Sequence, residues 1–317
     1  MAATGTVTPS SSLSTGSTPI LSPIPTEKWE TFVNDPKHQS YSYLLRHDDD
    51  GENAMMPKNQ LDAWFQQLHP SSYTNNNNDD NNNGAWTPAS YQNQKLLRQT
   101  AWYTLPNQCT CEYGYSDTWQ PQITHPKMKS LLVDITAHIT RLCGLKDGEL
   151  NCVNLNYYPR GGGVGYHADD EFLFDGLRRE VRIVSLSLCS GGDGDGEAGD
   201  VDPMQQQNDN GTSQERNDWG KRKFQIKPKS KETTDKNHSV QEVLLGHGDI
   251  MTMEGMFQKY YLHSVWPGDS KEFINQPLCR GERINLTWRT IVRHLDGSFE
   301  DCRGLRCPLA DDVEGRN

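Results

Sequence analysis

His167-Ala168-Asp169 places an imidazole and a carboxylate two residues apart. On an extended backbone, residues two apart project to one face, so both side chains can reach a single ion. A third ligand is offered by His263, inside Tyr-Tyr-Leu-His-Ser-Val at 260–265. Two imidazoles and one carboxylate, with the remaining coordination positions open, suit a non-haem Fe(II) ion. His-x-Asp alone is a weak signal, because it arises by chance in many chains. The histidine on a later strand-like segment gives it weight.

A second constellation is Arg283-Ile284-Asn285-Leu286-Thr287-Trp288-Arg289. Arg283, Asn285, Thr287 and Arg289 fall on one face of a strand whose other face is apolar. Polar side chains gathered in this way are costly to bury unless paired. Two guanidiniums in a barrel mouth suit a dicarboxylate, each binding one carboxylate bidentately. The bland reading is the solvated face of an edge strand. Asn154, Asn156 and Tyr158 share a face in the same manner and add neutral hydrogen-bonding groups.

These residues need a scaffold, and the hydrophobic rhythm supplies one. Met128, Leu131, Leu132, Ile135, Ile139 and Leu142 repeat at three and four, so a helix is expected over Pro126–Leu145, with Gly144 as its stop. Residues 27–70 read as mostly helical and peripheral, the clearest piece being Asn59–Leu68. From Leu150 the period becomes two, in segments 151–158, 181–189, 223–227, 240–245, 250–253, 260–265 and 283–292. One helix followed by about seven strands argues for a closed or sandwiched antiparallel sheet. The expected class is mainly β (α+β), a jelly roll, or double-stranded β-helix, with flanking N-terminal helices.

Composition narrows the choices. The 317 residues carry 42 acids and 31 bases, a net charge of -11 that opposes a basic nucleic-acid coat protein but leaves room for a local basic patch. No apolar run approaches the ~18 residues of a membrane span, so no membrane partner is expected. No charged start leads into an apolar segment, so the eight cysteines are expected as free thiols in a reducing compartment. Residues 1–26 carry no acid and no Arg and read as a disordered tail rather than a transit peptide. The Asn/Asp tract at 74–84 reads as a solvated linker.

Taken together, Asn156-x-Tyr158, His167-x-Asp169, His263 and Arg283-x-Asn285-x-Thr287-x-Arg289 resemble the AlkB family of Fe(II)- and 2-oxoglutarate-dependent dioxygenases. The resemblance runs from about Arg98 to Arg293 and is strongest to the branch that repairs alkylated DNA. Arg98-Gln99-Thr100-Ala101-Trp102-Tyr103 is similar to the lead-in of that branch, Tyr113-Gly114-Tyr115-Ser116 to its Tyr-x-aromatic-Ser stretch, and His167-Ala168-Asp169-Asp170-Glu171 to its extended metal motif.

The resemblance implies that His167, Asp169 and His263 bind Fe(II), and that Asn156, Tyr158, Arg283, Asn285 and Arg289 hold 2-oxoglutarate. It leaves open which arginine takes which carboxylate. Tyr115 and the His167 ring would sandwich a flipped base, Glu171 would meet its edge, and Tyr113 and Ser116 would line the pocket. The implied activity is oxidative demethylation of N-alkylated bases, of the 1-methyladenine and 3-methylcytosine type, in DNA. Such an enzyme partners nucleic acid, and a monomer is expected, in the nucleus or else in the cytoplasm or an organelle. The rivals are an RNA demethylase, a protein oxygenase, and a nucleic-acid-binding pseudoenzyme. The intact triad and both arginines oppose the last.

The implied organisation is a tail at 1–26, peripheral helices and linker at 27–84, the dioxygenase domain at 85–294 and a tail at 295–317. The chain departs from the family in two places. Residues 191–218 insert eight acids and one base where relatives run on within a few residues, and disorder is expected there. Residues 85–97, where some relatives carry a duplex-opening hairpin, show no recognisable wedge. Lys221–Lys236, with seven bases and two acids, is either a phosphate track or else a solvated strand end or a localisation patch. Cys109, Cys111, Cys302 and Cys307 fit no standard zinc spacing well, and free thiols are the simpler reading.

Overall fold

The computed structural model describes residues 28–47, 56–73, 84–91, 94–106, 111–115, 118–190, 221–229, 240–266 and 281–293. Two antiparallel sheets dominate it. The larger has the order β1-β2-β12-β9-β14-β7-β4-β3. Its strands are β1 (Trp29–Asp35), β2 (Ser40–Leu45), β3 (Thr87–Tyr91), β4 (Gln94–Thr104), β7 (Cys152–Tyr158), β9 (Val181–Cys189), β12 (Ile250–Gly255) and β14 (Arg283–Arg289). The smaller is β11-β10-β13-β8, from β8 (Val164–His167), β10 (Arg222–Pro228), β11 (Gln241–Leu245) and β13 (Tyr261–Trp266). A short hairpin, β5 (Tyr113–Tyr115) with β6 (Thr118–Gln120), stands apart. This is the jelly-roll architecture expected.

Period-two alternation in β14 decides where the site lies. Ile284, Leu286 and Trp288 join a buried cluster with Leu61 and Trp64 of helix α1 (Lys58–Leu68) and Met128, Leu132, Ile135 and Ile139 of helix α2 (Pro126–Leu142). The Trp288 indole N–H donates to Thr136 Oγ1 at 2.8 Å and locks sheet to helix. The opposite face of β14 turns Arg283, Asn285, Thr287 and Arg289 inward, and all four are buried. A second apolar cluster joins the two sheets through Tyr158, Ile183, Phe224, Ile226 and Val265. Helix α2 starts with Pro126 in its first turn and ends before Gly144, which takes φ +57 while the Leu145 N–H closes on Thr140 O at 2.8 Å.

The N-terminal segment corrects the expectation of mostly helical residues at 27–70. Residues 29–45 form the β1–β2 hairpin, and β2 pairs with β12 across Ile250↔Leu45 to Gly255↔Ser40. Only Lys58–Leu68 is an α-helix in that stretch, beside two short 3-10 turns at Pro36–His38 and Pro70–Tyr73. Residues 85–97, expected to hold no wedge, include β3 and the start of β4, paired across Ser90↔Lys95. The tail, the Asn/Asp tract, the acidic insertion and the C-terminal tail lie outside the described residues.

Candidate active site

β8 and β13 pair so that His263 stands opposite His167, with ring centroids 4.3 Å apart. Asp169 follows β8 by two residues and turns Oδ1 toward both rings, 3.7 Å from His167 Nε2 and 3.9 Å from His263 Nε2. One ligand atom from each residue lies within 4.8 Å of the others. The His167 Nδ1–H donates to Gly165 O at 2.8 Å, which leaves the Nε2 lone pair for an ion. Burial lowers His167, and burial with the neighbouring imidazole takes His263 down to about 3, so both rings are neutral. Burial alone would raise Asp169, but the Arg289 guanidinium and the imidazoles outweigh it and hold the carboxyl at about 2. Two neutral imidazoles and a carboxylate are the protonation states a metal needs.

Asp169 is held from two sides. Its backbone N–H donates to Gln258 Oε1 at 2.8 Å, from the fully buried amide of helix α3 (Phe257–Tyr260). Its Oδ2 accepts from Arg289 Nη2 at 2.6 Å and Nε at 3.1 Å. Arg283 is placed differently. Its Nη2 donates to Ser187 Oγ at 2.9 Å and Asn285 Oδ1 at 2.7 Å, while Nε and Nη1 are buried with no partner among the described residues. Asn285 donates onward to Thr287 Oγ1 at 2.7 Å and accepts from Ser185 Oγ at 3.0 Å. The strand face is therefore an internal network with one open end, at Arg283. The Tyr158 ring lies 5.5 Å from the Arg283 guanidinium carbon. Burial lowers Arg283, and an unpaired buried guanidinium is costly unless an anion meets it.

One cavity joins these elements. Asn154, Asn156, Tyr158 and Arg289 line it from the large sheet together with Thr87 to Ser90, Arg98 and Thr100 of its strands β3 and β4, while His167 and Asp169 line it from β8 and the turn after it, and Tyr113 and Gln120 from the β5–β6 hairpin. Tyr113 stacks on Trp102, centroids 4.9 Å apart, and its hydroxyl donates to Glu171 Oε1 at 2.5 Å. Glu171 Oε2 is buried without a partner. Burial, reinforced by Asp169, pushes Glu171 up to about 7. Arg283 is joined to this cavity through Tyr158, whose ring lies 5.5 Å from the guanidinium carbon and which lines the cavity. The Tyr115 side chain and Ser116 lie outside the described residues.

Two residues that carried no site role at the level of sequence contribute to this site. Arg98 and Gln120 are buried and line the cavity, yet Arg98 Nε and Gln120 Nε2 have no hydrogen-bond partner among the described residues. Arg98 opens the run Arg98–Tyr103 that carried part of the resemblance, which was the available signal. Gln120 belongs to a three-residue strand with no periodicity to read.

The weaker signals resolve into structure. His247 Nδ1 accepts from the Cys189 N–H at 3.0 Å, and His138 packs edge-on against Trp64 at 5.4 Å. Asp249 accepts from the Gly246 and His47 backbone N–H groups at 2.8 and 3.0 Å, as a turn residue does. Cys111 is a buried free thiol, whereas Cys109, Cys302 and Cys307 lie outside the described residues. The described part of the basic stretch, residues 221–229, is partly spent: Lys223 pairs with Glu242 at 3.2 Å and Lys229 with Asp170 at 3.0 Å. Among the described residues no helix is long and apolar enough to cross a membrane.

The chain belongs to the 2OG-Fe(II) oxygenase superfamily, which matches residues 52–289. It is thus an oxygenase that uses Fe(II) and 2-oxoglutarate. Among solved structures it is similar to OsALKBH1, at 16% identity and TM-score 0.40 over 78% of this chain and 97% of that one. It is also similar to a 2OG-Fe(II) oxygenase family oxidoreductase from Burkholderia pseudomallei, at 10% identity and TM-score 0.38 over 78% and 84%. A Pseudomonas putida prolyl-4-hydroxylase gives 13% identity and TM-score 0.37 over 79% and 92%. No curated protein matches the sequence. The site suits the group the family uses: a neutral-His, anionic-Asp triad for the ion, and two unpaired buried donors on Arg283 for a carboxylate.

Proposed function

We propose that the protein is an AlkB-type oxidative demethylase of N-alkylated bases in DNA. In this reading His167, Asp169 and His263 hold Fe(II), and Arg283, with Tyr158 and Asn285, holds the distal carboxylate of 2-oxoglutarate. Arg289 orients the Asp169 carboxylate at the metal end, and Asn156 faces the same cavity. Bound iron and 2-oxoglutarate, with dioxygen as the oxidant, would supply the chemistry that turns an N-methyl group into formaldehyde with release of succinate and CO2. The chain's own share is orientation and exclusion of water.

The observation that carries the substrate assignment is the Tyr113–Glu171 pair beside the triad. Tyr113 lines the cavity with its ring stacked on Trp102. Glu171 keeps one buried oxygen unpartnered, ready for an N–H donor such as an exocyclic amino group. An aromatic ring with an edge-reading acceptor suits an extruded base, which must leave the stack to reach the ion. Support also comes from the run His167-Ala168-Asp169-Asp170-Glu171 and the four alternating polar residues of β14.

The test is mass spectrometry on matched single-stranded DNA, duplex DNA and RNA oligomers carrying 1-methyladenine or 3-methylcytosine. Methyl loss that requires both Fe(II) and 2-oxoglutarate is expected on DNA. Succinate release with no change in any oligomer would overturn the assignment while leaving the superfamily chemistry intact. Faster methyl loss from RNA would move the substrate to the RNA rival.

A further inference from the structure

Arg98 is only 9% exposed, and its side-chain Nε is buried with no hydrogen-bond partner among the described residues. Such a group costs free energy unless an acceptor meets it. Gln120, 7% exposed, lines the same cavity and has its amide Nε2 unpartnered. It stands opposite Tyr113 in the β5–β6 register. Arg98 lies on β4, the strand hydrogen-bonded to β7 on one side and to the β3 hairpin on the other. Both donors line the same cavity as Tyr113 and Tyr158. Glu171, hydrogen-bonded to Tyr113, adds a buried acceptor with one free oxygen.

An occupant that satisfies all three groups must present a hydrogen-bond donor and an acceptor. The Watson–Crick edge of 3-methylcytosine has this pattern, with the exocyclic amino group on one side of the methylated nitrogen and the O2 carbonyl on the other. In 1-methyladenine the amino group is kept, but a C–H replaces the carbonyl, so Arg98 and Gln120 would stay unpaired beneath the base. We infer that Arg98 and Gln120 form a carbonyl-reading edge that makes this enzyme prefer N3-methylated cytosine to N1-methylated adenine. This rests on the demethylase reading above and names its substrate. It makes Arg98 a specificity-determining residue that touches the substrate and takes no part in holding the cosubstrate.

The experiment compares initial rates on single-stranded oligomers with one 3-methylcytosine or one 1-methyladenine in the same context, for the wild type, Arg98→Met and Arg98→Lys. The KM for 2-oxoglutarate and substrate-free succinate release are measured alongside, and thermal melting checks folding. Removing a charged hydrogen bond to a buried acceptor costs roughly ten- to a hundredfold. The wild type should favour 3-methylcytosine by about tenfold or more. Arg98→Met should lose that margin by slowing on 3-methylcytosine alone, and Arg98→Lys should recover part of it. The 2-oxoglutarate KM of Arg98→Met should match the wild type.

Equal loss on both bases would mean that Arg98 meets a phosphate or the scaffold, and a raised 2-oxoglutarate KM would place it at the cosubstrate. Either result overturns the inference, as does a wild type that favours 1-methyladenine. If Arg98→Met does not fold, Gln120→Leu carries the same expectation with a smaller margin. No methyl loss from either oligomer by the wild type would instead sink the demethylase reading.

Discussion

Two parts of the site are built on opposite terms. Around the triad and along β14, buried polar groups satisfy one another: Arg289 grips Asp169, Asn285 bridges Arg283 and Thr287, and Gln258 holds the Asp169 backbone. On β4 and the β5–β6 hairpin, Arg98 Nε and Gln120 Nε2 are buried and unpaired among the described residues, as is Glu171 Oε2. Native interiors rarely leave such groups unmet. The contrast separates what the enzyme brings to every turnover from what it leaves for a substrate to complete. Arg283 is the instructive exception in the first part. In the proposed reading, its two donors that lack a partner among the described residues are where the cosubstrate, rather than the protein, completes the network.

The largest effect should come from the triad. Replacing His167, Asp169 or His263 by Ala should lower turnover by more than the roughly 10–100-fold typical of outer-shell partners. The fold should persist, because the apolar clusters on both faces of the large sheet do not involve the ion. Circular dichroism with a turnover assay checks both halves, and near-normal demethylation by any of the three would show the ligand set is wrong.

Next is Arg289→Met. In the metal-free protein it leaves Asp169 buried without its counter-ion, at a cost of about 3–5 kcal/mol. Added Fe(II) should restore part of that loss, since the ion replaces the lost positive charge. Denaturant midpoints with and without metal measure it, and equal destabilisation in both conditions would make Arg289 a packing residue only. Arg283→Lys keeps the charge but loses the planar fork. The 2-oxoglutarate KM should rise roughly ten- to a hundredfold, with the iron affinity unchanged. A shift in iron affinity instead would merge the two arginines into one role.

The smallest effect concerns Glu254, on β12, 3.6 Å from Arg182 Nε. Burial outweighs that guanidinium and pushes the carboxyl up to about 7. A folded-state value above the unfolded one means stability present at low pH and lost as pH rises from about 4.5 through about 7. Glu254→Gln should therefore gain on the wild type above that window, by on the order of 1–3 kcal/mol, and lose the gain below it. Melting curves at the two pH extremes decide it; a variant less stable at both would mean that the ion pair dominates.

The polar face of β14 was legible because the strand alternates cleanly. Arg283, Asn285, Thr287 and Arg289 are polar on one face while Ile284, Leu286 and Trp288 are apolar on the other, so the pattern predicted both the strand and the site. Helix α2 was legible for the matching reason at period 3.6. The β1–β2 hairpin was not. Ser40–Leu45 is buried at every position, so it shows no alternation, and β1 carries a register shift between Thr31 and Val33. The resemblance also paired Arg283 with Arg289 as two equal carboxylate clamps. That Arg289 also grips Asp169, 120 residues away in sequence, was legible only in the fold.

The most direct test of this division is to count succinate and demethylated base in the same sample of a 3-methylcytosine oligomer, for the wild type, Arg283→Lys and Tyr113→Phe. The wild type should yield one succinate per base restored. Arg283→Lys should lose both products in step, whereas Tyr113→Phe should release succinate in excess of base. Parallel loss of both products in Tyr113→Phe, or succinate from the wild type with the oligomer unchanged, would contradict the account.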